Sequence, residues 1–173
     1  MTADRSALEV FARDDSAQTW ATVQSNLCMA LTHLGTAFSG KEGEGYLKEG
    51  ILSCRSALEI RTRKNWPLQW AETENNLAAA LLELSKHCAA SESGNYRQNS
   101  VEAFRSILEI YSRQDSPQSW ALAQYNFGCA LISLASGATG AESKRSFAQA
   151  VMAYRAALQV FSREYSPQYW AMT

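Results

Sequence analysis

The chain has 173 residues, a formal net charge of −1 and 46% hydrophobic residues. That balance excludes the basic footprint of a nucleic-acid-binding surface. No apolar run approaches the ~20 residues needed to span a bilayer. The first stretch carries Asp4, Arg5, Glu9, Arg13, Asp14 and Asp15 without a long apolar segment, so no secretory leader is expected and the reading is a cytoplasmic protein. The four cysteines, Cys28, Cys54, Cys88 and Cys129, show no CxxC spacing. They are expected to be buried reduced thiols rather than disulfides or metal ligands.

Residues 1–14 carry Ala7, Leu8 and Phe11 at helical spacing. Residues 3–14 match 53–64, 103–114 and 153–164, and so 1–14 reads as the second helix of a unit whose first helix is absent. The first complete unit covers 17–64. Its first helix is predicted over about 17–37, capped by Ser16, with Trp20, Val23, Leu27, Ala30, Leu31 and Leu34 on one face. The glycine-rich segment 39–45 reads as a flexible loop. A second helix is then predicted over about 46–63, turning Ile51, Cys54, Leu58 and Ile60 inward.

The pattern repeats at 67–114, with helices near 67–89 and 96–114 around a loop at 90–95. It repeats again at 117–164, with helices near 117–135 and 143–164 around a loop at 136–142. Pro67, Pro117 and Pro167 suit a first helical position, and Ser116 and Ser166 suit a cap. Residues 167–173 begin one further first helix. Trp20, Trp70, Trp120 and Trp170, each followed by alanine, set a period of 50 (70 − 20, 120 − 70 and 170 − 120). A fixed period of this size marks a solenoid. The expected fold is therefore all-α: one α-solenoid of stacked antiparallel helix pairs, about seven helices plus a C-terminal start. A single pair cannot bury both of its apolar faces, so neighbouring pairs must stack.

Leu27-Cys28 with Leu31, Leu77-Ala78 with Leu81 and Phe127-Gly128 with Leu131 occupy the places of the Leu-Gly signature of a tetratricopeptide repeat (TPR) first helix. Ala150, Tyr154 and Ala157-Leu158 match the second helix, as do Ser100, Phe104 and Ile107-Leu108, while Gly50 and Ala57-Leu58 match except at Cys54. The chain thus resembles the TPR family along its whole length. The common repeat is ~34 residues; the longer unit is similar to a long-repeat subgroup of large bacterial multi-repeat proteins. The resemblance implies a non-enzymatic scaffold without cofactor or metal, taking a peptide or partner helix on the concave surface of the first helices. That surface would comprise Thr22, Ser25, Asn26, Met29 and His33. It would continue through Glu72, Asn75, Asn76, Ala79 and Glu83, then Leu122, Tyr125, Asn126, Cys129 and Ser133.

Within it, the Asn26/Asn76/Asn126 column has two readings: each amide either bonds an extended peptide, for which its donor and acceptor are suited, or bonds a neighbouring helix or loop. No lysine or arginine falls in the groove set. A carboxylate-clamp function is therefore disfavoured, and a neutral or basic segment with apolar side chains is the expected partner.

The tryptophan column is expected to pack between helices, with Trp66 left as an exposed contact. Arg55-Glu59-Arg63, Arg105-Glu109-Arg113 and Arg155-Gln159-Arg163 are expected to form solvated, self-paired rows. His33 and His87 stand in different helical columns, and Gly40–Gly45 lacks the order of a phosphate loop, so catalysis is not expected. The half-units at either end suit an alternative role, self-association by head-to-tail stacking of the same chain. A regulatory piece of a larger multidomain protein is also compatible.

Overall fold

A computed structural model of the protein describes residues 16–161. The expected orphan helix at 1–14 and the further copy at 167–173, with Trp170, lie outside the described residues. Six helices and no strand are found among those described: α1 (Ala17–Ala37), α2 (Gly40–Ile60), α3 (Pro67–His87), α4 (Ala90–Ile107), α5 (Pro117–Gly137) and α6 (Gly140–Ala157). Neighbouring helices pack consecutively, so the chain is an all-α helical repeat. Its contacts divide into two compact units, Met1–Tyr96 and Arg97–Thr173, and the boundary falls inside α4.

The starts of the three first helices agree with the sequence pattern, and Pro67 and Pro117 sit in the first turn of α3 and α5. The predicted serine caps do not act as such. Neither Ser16 nor Ser116 makes a side-chain cap bond. Ser116 instead donates its hydroxyl back to the Ser112 carbonyl at 3.3 Å. The turns between units are held by the preceding hydroxyls. Thr62 accepts from the Asn65 N–H at 3.2 Å, and Ser112 accepts from the Asp115 N–H at 3.0 Å. These are local side-chain turns that compete with capping.

The wide internal loops are a correction. Residues 39–45, 90–95 and 136–142 are mostly helical, because α2, α4 and α6 begin at Gly40, Ala90 and Gly140. Only two residues, such as Phe38 and Ser39, join the helices of each pair, and so short a link makes them antiparallel. Gly40 and Gly140 take φ of +67° and +65° at the reversal, a conformation open to glycine. A few residues on, small side chains let the two helices touch. A Cβ at Gly43 would overlap the Phe38 carbonyl oxygen and lie 2.7 Å from that of Gly35. The equivalent Ser93 and Ser143 use the same closeness to donate to the Ser85 and Ala135 carbonyls, at 2.7 and 2.9 Å. Small, polar composition therefore marks a helix crossing here rather than a loop. The second helices also end earlier than expected, at Ile60, Ile107 and Ala157.

The core of the first unit joins Cys28 of α1, Leu47, Ile51 and Cys54 of α2, and Leu77, Ala80, Leu81 and Leu84 of α3. Each fully buried leucine contributes about 2 kcal/mol of transfer free energy. In the second unit, Trp120, Leu122 and Tyr125 pack on a cluster of Ala121, Ala157 and Phe161. Trp20, Trp70 and Trp120 are all half-buried, and Trp66 is exposed. The Arg63 guanidinium lies over the Trp70 ring, 5.6 Å from its centroid, in cation–π range.

The cysteine expectation is overturned for one pair. Cys28 and Cys54 form a disulfide across α1 and α2, with Cα atoms 5.4 Å apart; Cys88 and Cys129 are free and half-buried. The physical reason lies in the register. In the third pair the same two positions hold Gly128 and Tyr154, and a Cβ on Gly128 would come within 2.6 Å of the Tyr154 ring. This crossing sets the two positions directly against each other in both pairs. In the first pair both happen to be cysteine.

Candidate functional site

In the first unit α1 and α3 pack side by side. The predicted row on α1 faces outward at Thr22, Asn26, Met29 and His33, all exposed, and Met29 keeps 46% of its surface. Ser25 is buried instead. On α3, Glu72 is exposed while Asn75, Asn76, Ala79 and Glu83 are half-buried. Spacing of three and four residues explains both rows, since it places them along one edge of each helix. In the second unit, Leu122, Tyr125, Asn126, Cys129 and Ser133 of α5 are all half-buried.

The asparagines do not share one role. Asn76 donates its amide to Ser25 Oγ at 3.2 Å and to the Ser25 carbonyl at 3.5 Å, tying α3 to α1. Asn26 is exposed on α1. Asn75 and Asn126 both have interaction partners.

Around Asn76 lies a polar cluster that the row-based reading did not contain. Arg61, the residue that ends α2, is only 6% exposed. Its Nη1 donates to Thr73 Oγ1 at 3.1 Å and its Nη2 to Thr22 Oγ1 at 2.7 Å. Thr73 is buried beside Ser25, with the two hydroxyl oxygens 3.4 Å apart. Thr22 in turn donates its hydroxyl to the Gln18 carbonyl oxygen at 2.9 Å. Arg61 Nε and Gln18 Nε2 are both buried without an acceptor among the described residues. Burial lowers the Arg61 pKa, and the Glu72 charge acts in the opposite direction. Thr22, Ser25 and Asn76 thus come together in a packing contact between α1 and α3, with Asn76 bonded to the neighbouring helix. Arg61 and Thr73 were missed because they lie outside the row of each first helix that was taken as the surface.

On α5 and α6 a second group forms. The Tyr154 hydroxyl donates to Cys129 Sγ at 3.4 Å, and the Tyr125 and Tyr154 rings lie 5.8 Å apart and tilted. Burial pushes both phenols up, with Cys129 adding to the effect. Glu74 of α3 is likewise raised by desolvation. A groove of about 280 Å³ between α2, α3 and the first turns of α4 is lined by Lys48, Ile51, Leu52, Arg55, Leu84 and Tyr96. Arg55, Arg105 and Arg155 are exposed as the charge rows predict, and Arg113 reaches Gln159 Oε1 at 2.7 Å. No group of three or more His, Cys, Asp or Glu side chains suited to a metal occurs among the described residues. No helix among them is long and apolar enough to cross a membrane.

Comparison with models of protein families, with curated proteins and with solved structures returns no match. The fold itself defines the class, an all-α helical repeat of antiparallel pairs.

Proposed function

We propose that this chain is a non-enzymatic, TPR-like scaffold that binds a peptide or partner helix along its first helices. The observation that carries this reading is the outward row Thr22, Asn26, Met29 and His33 of α1, lying next to α3. An exposed methionine flanked by amide, hydroxyl and imidazole groups offers apolar contact together with hydrogen bonds to a backbone. Within the first unit the proposed surface has its further members on α3, as the family resemblance implies. To test it, a random peptide library is panned on the intact chain and the enriched peptides are titrated by calorimetry. Met29→Glu with Asn26→Ala is expected to weaken them at least about tenfold while leaving helicity and melting unchanged, because both side chains are exposed. Equal binding by the variant rules this surface out.

A second reading, self-association of the same chain, is favoured by α6. Phe147 and Val151 are 44% and 48% exposed, whereas their counterparts Leu47 and Ile51 on α2 are buried in a core with α3. An apolar face built for a neighbouring helix is a docking surface for a second copy. Light scattering over a dilution series is expected to show mass rising with concentration, and Phe147→Glu to abolish the rise. A constant monomer mass at high concentration removes this role.

A further inference from the structure

We propose that the groove between α4, α5 and α6 of the second unit docks an acidic amphipathic helix of a partner protein. This surface is separate from the outward row of α1, and the inference goes beyond the scaffold reading.

The groove encloses about 380 Å³, within the range of clefts that hold ligands. One wall is α6, through Gln149, Met152, Ala153 and Ala156, whose three- and four-residue spacing sets them on one edge. Gln149, Ala153 and Ala156 lie across the helix from Phe147 and Val151, so the edge put forward for self-association is a different one. From α5 come the half-buried Phe127 and Gln124, and from α4 the exposed Arg105. Met152 keeps 70% of its surface in water. A long, unbranched apolar side chain beside two alanines makes an adaptable apolar contact for an incoming helix. Just past the ends of α4 and α6, Arg113 donates to Gln159 Oε1 at 2.7 Å and ties the two walls together.

Charge decides which helix fits. The lining holds a cation and no carboxylate. The pairing of Arg105 with Glu109 that the sequence row suggests is not made, and Arg105 has no hydrogen bond or ion pair among the described residues. α5 carries no charged residue, while α6 has Lys144, Arg145 and Arg155 against Glu142. All three cations are exposed, and Arg145 stands one turn before Gln149. The carboxylates of these helices are placed elsewhere. Glu102 accepts from Gln98 Nε2 at 2.9 Å, and Glu142 sits in the first turn of α6, where the helix dipole favours it. Positive charge is therefore left over around this groove, in a chain whose net charge is −1. Carboxylates flanking the apolar stripe of a partner helix complement it. They supply steering and selectivity, while apolar burial on Met152 and Phe127 supplies affinity. The partner expected on the α1 row is neutral or basic, so the two surfaces select different chemistries.

The test is fluorescence anisotropy on the intact chain with a labelled synthetic helix of leucine, alanine and glutamate, and with its copy carrying lysine for glutamate. Saturable binding of the glutamate peptide is expected, at least about tenfold tighter than that of the lysine peptide. Met152→Glu is expected to weaken it at least about tenfold. Arg105→Glu is expected to weaken it about three- to tenfold and to strengthen the lysine peptide. Both positions are exposed, and circular dichroism confirms that the variants fold. Vesicles of phosphatidylserine and phosphatidylcholine form a parallel arm. Equal binding of the two peptides, an unchanged affinity in either variant, or capture by vesicles with no peptide binding overturns the proposal. Met29→Glu with Asn26→Ala is expected to leave the glutamate peptide bound; a loss there assigns the peptide to α1 and removes this site. None of these variants of the groove touches α1, so the scaffold reading and this one stand or fall separately.

Discussion

Reducing the Cys28–Cys54 bond is expected to lower the melting temperature by roughly 6–12 °C, from a loss of about 3 kcal/mol. The two cysteines are 26 residues apart and close a loop across the α1–α2 pair. Breaking the link restores freedom to the unfolded chain while the folded core keeps two buried sulfurs. The measurement is a thermal melt with and without reductant, with the bond confirmed by mass spectrometry. An unchanged midpoint on full reduction would sink the idea. The register allows a sharper version. Cys54→Tyr alone places a ring against a position that already holds a side chain and should be strongly destabilising. Cys28→Gly with Cys54→Tyr reproduces the Gly128–Tyr154 arrangement and should recover much of the loss. Non-additivity between contacting sites is commonly 0.5–3 kcal/mol; simple additivity here would show that the two crossings are not equivalent.

Gly43→Leu is expected to cost about 3 kcal/mol or more, because its Cβ would meet backbone carbonyls of Phe38 and Gly35 rather than a movable side chain. Gly45 is the internal control. It lies in the same glycine-rich run, but a Cβ there meets nothing within 4 Å. Gly45→Ala should therefore stabilise the chain by roughly 0.5–1 kcal/mol, as for an exposed glycine inside a helix. Opposite signs two residues apart are what a helix crossing demands. Were 39–45 a flexible loop, both changes would be near neutral, and chemical denaturation of the two variants decides between them.

The repeat was legible because one strong signal, Trp followed by alanine, recurs at a fixed distance and begins three helices in step. The inward faces at Leu27, Leu31, Leu77 and Leu81 followed from spacing alone. What escaped was of a different physical kind. Glycine and serine at 39–45 and 90–95 satisfy turn chemistry and tight helix contact equally well, and composition cannot separate the two. Ser116 looked like a cap because hydroxyls favour that place, yet Ser112 was there first to hold the turn. The disulfide carries no motif, and only aligning Cys28 and Cys54 with Gly128 and Tyr154 would have raised it. Arg61 stood at a helix end, outside the surface drawn from the first helices, and only its departure from Tyr111 and Phe161 pointed to it. Spacing therefore led to the exposed side chains of α1, Thr22, Asn26, Met29 and His33, but not to the burial of Ser25 or to the Arg61 cluster.

The two-residue links such as Phe38 and Ser39 leave no slack between partnered helices. One residue added to or removed from the body of a helix rotates everything beyond it by about 100°, and so brief a reversal has no spare chain to absorb that rotation. Variation in chain length during evolution is thereby steered to the turns between pairs, around 61–66 and 108–116, and new loops for new partners would arise there.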